Sequence, residues 1–191
     1  MRPISDAKYS IGIDPGWKNL GVAVVRKESG NIKLIYSATF NPSESKTLVQ
    51  AARKISGEIY EKISSDYFDG SRACTPSFKI HGVMERYVSY TGVHTAEAEN
   101  ILMMIGALAS ESYSTLIETG GEYEMVRAID WKKELVKLLF KKKGFSNPSD
   151  SLDKKFSVAA AKACLSTETE INTNHEADAI CMACLPFLRE K

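Results

Sequence analysis

The sequence has no run of about 18 apolar residues, so we expect no membrane-spanning helix. Its first eight residues are polar and lack the apolar core of a secretion signal. Cysteine is scarce, at four in 191 residues, and the spacing does not suggest a disulfide framework. Together these absences favour a reducing, cytoplasmic setting.

Strong overall charge is also missing, because 25 basic residues face 24 acidic ones and the formal net charge is +1. The overall charge therefore does not indicate a nucleic-acid partner. The lysines are nevertheless clustered, at positions 132, 133, 137, 141, 142, 143, 154 and 155. They form either the solvated face of an amphipathic helix or a set of phosphate contacts, and the sequence leaves both open.

The hydrophobic patterning predicts the order β-β-β-α-β-α-β followed by further helices. We expect strands at 9–14, 20–26, 31–40, 79–87 and 123–129, and helices at 45–65, 95–114, 130–143, 152–165 and from 174. The first three strands should form an antiparallel meander, and the crossover helix should make the fourth strand parallel to a neighbour. The predicted fold class is α/β, with a mixed five-stranded sheet flanked by helices in a single domain over 1–191.

Carboxylates lie where two of these strands end. Asp14 closes the first strand, before Pro15 and Gly16, and Glu85 lies near the end of the fourth. If those strands are parallel neighbours, the two side chains meet at one edge of the sheet, where open α/β sheets bind ligands.

The last helix supplies two more candidates. His175 and Asp178 are three residues apart near its start, so they share a face. A mostly oxygen ligand set suits Mg²⁺, or Mn²⁺ in its place. Two such ions about 4 Å apart can activate a water and stabilise a leaving oxygen in phosphodiester hydrolysis.

Each candidate also has a structural interpretation. Asp14 could only form the turn, Glu85 could be a surface acid, and Asp178 could be an ordinary acid of a first helical turn. His175 could lie beside the helix cap without binding a metal. All four structural interpretations become less favoured if one fold brings the four positions to the same place.

Other polar residues near these motifs favour a structural role. We expect Glu176, on a different helix face, to point to solvent, and Asp130 to cap its helix rather than bind metal. Cys181 and Cys184 form a C-x-x-C in mid-helix without a second pair, which favours core packing. Lys18, in the turn after Asp14, is a phosphate contact or a plain turn lysine.

Two aromatic residues follow the strand-four acid. Tyr87 and Tyr90 could stack on unpaired bases if they are exposed, or pack in the core if they are buried. For Tyr90 we favour exposure.

Three motifs carry a resemblance to a known family. Residues 11–16, Ile-Gly-Ile-Asp-Pro-Gly, with Gly21 after them, resemble the first motif of RuvC-type Holliday junction resolvases. Met84-Glu85 resembles the acidic position on the family's fourth strand. Residues 175–180, His-Glu-Ala-Asp-Ala-Ile, resemble its C-terminal helix motif.

That resemblance implies an RNase H-like fold, a homodimer, and Mg²⁺-dependent symmetric cutting of four-way DNA junctions into paired nicks. Carried over by position, Asp14, Glu85, His175 and Asp178 would be both the catalytic residues and the ligands of two ions. Lys18, Tyr87, Tyr90, Lys132 and Lys133 are the candidate DNA contacts. The two-fold symmetry of a junction calls for two equivalent sites, and the broadly apolar helix at 95–114 is the predicted dimer interface.

The sequence departs from the family pattern in places. The loop over 66–77 looks longer, no aromatic stands clearly at the family's offset after Glu85, and Asn19 resembles divergent viral and organellar members. These differences leave open how strictly the substrate must be a four-way junction. They make a phage source, acting in the host cytoplasm, our preferred hypothesis.

Three alternatives remain at this point. One is an RNase H-like nuclease acting on RNA–DNA hybrids or on branched DNA in general. Another is a DNA-binding relative with a silent site, although the intact acidic set argues against it. The third is an actin-like or sugar-kinase-like ATPase, which also opens with a strand, an acid and a Gly-rich turn but needs a second domain and a second phosphate motif that we do not find in 191 residues.

Overall fold

A computed structural model describes residues 8–68, 80–87, 95–118, 122–143, 154–166 and 168–190. The strands are β1 (Lys8–Asp14), β2 (Leu20–Glu28), β3 (Asn31–Phe40), β4 (Ile80–Glu85) and β5 (Glu122–Val126). The helices are α1 (Leu48–Phe68), α2 (Ala96–Glu118), α3 (Ala128–Lys143), α4 (Lys154–Cys164) and α5 (Asn174–Arg189), and a 3₁₀ turn covers Pro42–Glu44. Within these residues no helix is long and apolar enough to cross a membrane.

The five strands form one mixed sheet in the order β3-β2-β1-β4-β5. β1 and β2 pair antiparallel, as do β2 and β3, whereas β4 lies parallel to both β1 and β5. The meander and crossover topology predicted from the sequence is therefore confirmed. Its consequence is that β1, β4 and β5 all end at the same edge of the sheet.

Helices cover both faces of the sheet, and alternation along β1 assigns each side chain to one face. Ile11 and Ile13 point into a core closed by α1 and α2. On the other face the core is closed by α3, α4 and α5, and its largest fully buried side chain is Trp131. Asp14 shares this second face with Gly12, two residues before it.

Two glycines let α5 approach the sheet at backbone distance. A Cβ atom on Gly12 would lie 1.9 Å from the carbonyl oxygen of Ala179. A Cβ atom on Gly21 would lie 2.0 Å from the carbonyl oxygen of His175. Since both neighbours are helix backbone, neither can move aside without shifting α5. These glycines therefore fix how close the first turn of α5 lies to the end of β1.

Several predicted boundaries were wrong: α1 starts at Leu48 and not at 45, β4 ends at Glu85 and not at 87, and α2 ends at Glu118 and not at 114. Residues 66–68, expected to open a loop, belong to α1, where Asp66 Oδ2 accepts hydrogen bonds from the Tyr9 hydroxyl at 2.7 Å and from Arg26 at 2.6 Å. These long-range bonds stabilise the last turn of the helix. Ile129, expected in β5, lies in the first turn of α3, because the carbonyl of Arg127 already accepts the first helical hydrogen bonds.

We expect Gly12→Ala to lower the free energy of unfolding by about 3 kcal/mol, because the added methyl group collides with the α5 backbone. Gly57→Ala is the matched control, since Gly57 lies in α1 and a Cβ atom on it would have no other atom within 4 Å. There alanine should stabilise by about 0.5–1 kcal/mol. Chemical denaturation of both variants checks this. Equal stability of Gly12→Ala and the wild type would contradict the close approach of α5.

Candidate active site

Two carboxylates lie side by side at the edge where the parallel strands end. The register pairs Ile13 with Met84, so Asp14 and Glu85 are the next residues on neighbouring strands. Both are on the α3–α5 face of the sheet. Asp14 is buried, with 8% of its surface exposed, and the negative charge of Asp14 acts directly on Glu85.

The first turns of α5 bring His175 and Asp178 to the same place. Thr173 caps this helix by accepting the backbone N–H of Glu176 at 3.0 Å. His175 Nδ1 donates to Asp14 Oδ2 at 2.7 Å, and the charge of Asp178 acts on Asp14. The four predicted site residues, which come from three distant parts of the sequence, therefore form one cluster.

Helix α3 adds two neighbours to this cluster. Trp131 is completely buried and its indole N–H donates to Glu85 Oε2 at 2.9 Å. Lys132 Nζ lies 3.1 Å from Asp178 Oδ2, with only 18% of the lysine side chain and 15% of the aspartate side chain exposed. The same ammonium lies 4.9 Å from the centroid of the Trp131 ring.

Burial and mutual repulsion raise the proton affinity of Asp14 and Glu85. Burial, followed by the charge of Asp14, raises the pKa of Glu85 to about 7. Burial also raises the pKa of Asp14, although the hydrogen bond from His175 opposes the shift. The hydrogen bond to Asp14 raises the pKa of His175 above its ordinary value. Three acids concentrated in this way favour a compensating cation.

The donor set fits a hard divalent cation. It offers carboxylate oxygens and one imidazole, which suit Mg²⁺ or Mn²⁺. Asp178 Oδ1 is buried and receives no hydrogen bond from any described residue, as expected of an atom kept for a ligand. The set is not pre-assembled: in the described part of the chain, no three His, Cys, Asp or Glu side chains converge closely enough to hold an ion. Hydrogen bonds from His175, Trp131 and Lys132 hold the carboxylates instead.

The cluster is accessible to solvent at His175. The side chain of His175 is 43% exposed. A cavity of about 430 Å³ lies near the end of β3 and the start of α1, and none of the four site residues lines it. Its lining is Thr39, Phe40, Asn41, Pro42, Glu44, Ser45, Ala51, Lys54 and Ile55. His175 is the more exposed member of a cluster in which Asp14 and Asp178 are largely buried.

Two structural expectations about nearby acids were wrong. Glu176 is buried, not solvent-facing, because its carboxylate turns back to accept the backbone N–H of Asn172 at 3.1 Å. The sequence contains the signal for this, since Thr173-x-x-Glu176 is a capping box. Asp130 does not cap α3: it lies inside the first turn, where its exposed carboxylate binds Arg127.

The candidate DNA contacts fall into different environments. Lys18 and Lys133 are exposed, as phosphate contacts must be, whereas Lys132 is directed into the acidic cluster. Tyr87 is half-buried against the α1–α2 core, which limits its use as a stacking platform. Tyr90 lies outside the described residues.

Sequence patterns assigned no role to the residues that hold Glu85. Trp131 packs in the core as an apolar residue of an amphipathic helix would, and its N–H is also a direct partner of Glu85. The parallel pairing of β5 with β4 offered a signal, because it places the start of α3 beside the end of β4. The expected core packing of Cys181 and Cys184 is confirmed, since both are fully buried.

Comparison with known proteins identifies the architecture. The sequence matches no protein-family model and no curated protein. Among solved structures, it is similar to Thermus thermophilus RuvC in complex with a Holliday junction substrate, with a TM-score of 0.61, 16% identity, and coverage of 94% of this chain and 93% of that one. The fold is that of RuvC. A yeast mitochondrial Holliday junction resolvase is also similar, with a TM-score of 0.51, 15% identity, and coverage of 94% and 77%. The RNase H-like fold expected from the three motifs is thereby confirmed, and identities this low establish the fold alone.

We expect the metal-free protein to lose stability as the pH rises from about 4.5 through about 7. Glu85 has a higher pKa in the folded than in the unfolded chain, so its favourable contribution is complete below about 4.5 and is lost above about 7. The raised pKa values of Asp14 and His175 act in the same direction. The share of Glu85 is up to about 3 kcal/mol.

Denaturation across this pH range in EDTA measures the effect. Glu85→Gln should flatten the slope, whereas Glu97→Gln, which changes an exposed acid in α2, should leave it intact. A slope as steep in Glu85→Gln as in the wild type would show that Glu85 titrates normally.

Proposed function

We propose that this protein is a metal-dependent endodeoxyribonuclease that resolves four-way DNA junctions by paired, symmetric nicks. One observation carries the proposal: on a RuvC-like fold, Asp14, Glu85, His175 and Asp178 meet at the edge where the parallel strands end. Support for the substrate comes from the similarity to a RuvC structure that contains a Holliday junction substrate.

The acids would hold Mg²⁺, with Mn²⁺ as a substitute, and His175 is placed either to bind the metal or to move a proton. When bound, two such ions would neutralise phosphate charge and activate water for phosphodiester hydrolysis. Asp14 orients the imidazole through the bond to Nδ1, which prepares His175 for proton transfer at the exposed edge. Trp131 fixes the direction of the Glu85 carboxylate.

A homodimer would supply the second site that paired nicks require. Its proposed interface is the exposed stripe of α2 that includes Leu102 and Met103, which are 47% and 52% exposed. Gly106 continues the stripe one turn later and has no atom within 4 Å of its would-be Cβ, so another backbone could approach it. Exposed apolar side chains next to a small residue are typical of helix pairing.

We expect the wild type to nick a labelled synthetic four-way junction at symmetric positions in Mg²⁺ and not in EDTA. Asp14→Asn should reduce cleavage more than about 100-fold, because it removes a metal ligand. Binding of the junction should persist, because the fold is retained. Asp130→Asn is the matched control, since Asp130 is an exposed aspartate next to Trp131 in α3.

A flap, a plain duplex and an RNA–DNA hybrid complete the assay. Equal cutting of flaps and junctions would replace the proposal by a general branched-DNA nuclease, and preferred cutting of the hybrid would indicate a ribonuclease. Full activity of Asp14→Asn would contradict the assigned site.

We expect sedimentation of the wild type to show a dimer at micromolar concentration, and Leu102→Glu to show a monomer. The new charge would be buried without a partner in the interface. Tyr60→Glu, which changes a side chain 53% exposed on α1, should stay dimeric. A monomeric wild type would contradict the dimer, and a dimeric Leu102→Glu would place the interface elsewhere.

A further inference from the structure

Lys132 is the one described lysine side chain whose ammonium bonds a carboxylate of the acidic cluster. It follows the buried Trp131 in the first turn of α3, so the indole anchors the backbone from which the lysine extends. Its Nζ bonds Asp178 Oδ2 at 3.1 Å and lies over the Trp131 ring. The bond is largely shielded from solvent, unlike an ordinary surface ion pair.

The charges around this ammonium show what it does in the metal-free protein. The positive charge of Lys132 acts on Asp14 and on Glu85 as well as on Asp178. Among the described residues, His175 is the other basic group that acts on these acids, and it is hydrogen-bonded to Asp14. Lys132 is therefore a counter-charge of the acidic cluster in the metal-free protein.

The same position conflicts with metal binding. The Asp178 carboxylate has one oxygen bonded to Lys132 and the other, Oδ1, buried without a donor among the described residues. A divalent cation that used this carboxylate would share it with the positive ammonium, which lies 3.1 Å from Oδ2, and like charges on one shielded carboxylate repel strongly.

We infer that Lys132 is a positioning residue that takes the place of the divalent cation in the metal-free site, and that it leaves Asp178 when the cation binds. This inference rests on the proposed metal-dependent function and specifies how the site is held ready. Lys132 keeps the acids together without metal, at the cost of weaker metal binding. Removing the charge of Lys132 should therefore strengthen metal binding and destabilise the metal-free protein.

The test uses Mn²⁺ binding measured by calorimetry without DNA, together with thermal unfolding in EDTA and in Mn²⁺. Lys132→Met keeps the apolar stem and removes the charge. We expect it to bind Mn²⁺ at least about tenfold more tightly than the wild type and to melt at a lower temperature in EDTA. The stabilisation by Mn²⁺ should be larger in the variant than in the wild type.

Lys133→Met is the matched control, because it removes the same charge from the next, exposed position of α3. Its Mn²⁺ affinity should stay within about twofold of the wild type. An unchanged or weaker affinity in Lys132→Met, or an equal gain in both variants, would overturn the inference.

A measurement on the unmodified protein tests the displacement itself. Acetylation of lysines, followed by mass spectrometry, should label Lys132 several-fold faster in Mn²⁺ than in EDTA, while labelling of Lys133 stays constant. Constant labelling of Lys132 would overturn the displacement even if the variant failed to fold.

The outcomes separate this inference from the proposed function. If the wild type binds Mn²⁺ and cuts junctions but Lys132→Met binds no more tightly, only the role of Lys132 fails. If the wild type binds no Mn²⁺ at all, both the metal-dependent function and the role of Lys132 fail.

Discussion

The site depends on the backbone contact between α5 and the β1–β2 pair. Gly12 and Gly21 remove the side chains that would hold the helix away, and they do so at Ala179 and at His175, in the first two turns of α5. Because α5 lies this close, His175 reaches Asp14 at hydrogen-bond distance. A helix displaced by the width of one methyl group would separate the histidine and Asp178 from the carboxylates of the sheet.

This close packing has an electrostatic consequence. It collects Asp14, Glu85 and Asp178 in a partly buried place, where the charge of Asp178 raises the free energy of charging Asp14, and the charges of Asp14 and Asp178 raise that of Glu85. Trp131, Lys132 and His175 offset part of this repulsion with one hydrogen bond each. The repulsion that these bonds do not offset raises the pKa values of Asp14 and Glu85. Protons neutralise these carboxylates at low pH, and a divalent cation would neutralise them at neutral pH.

The order of elements and the meeting of the acids could be predicted from the sequence, because both follow from hydrophobic periodicity and from the rule that parallel strands end at one edge. These two rules were enough to predict that Asp14 and Glu85 lie next to each other. The orientation of Lys132 could not be predicted: a helical pattern places it beside Trp131 but does not say that the helix turns that face to Asp178. The start of α3 was misplaced for a related reason. Arginine is not one of the residue types favoured before a helix, yet the backbone carbonyl of Arg127 accepts the first hydrogen bonds of α3.

The most direct test is a crystal structure of the protein soaked in Mn²⁺, with the ion located by its anomalous scattering. The account predicts Mn²⁺ bound among the carboxylates of Asp14, Glu85 and Asp178, with Lys132 turned away from Asp178. An acidic cluster that stays free of Mn²⁺ at saturating concentration, with Lys132 still bonded to Asp178, would contradict it.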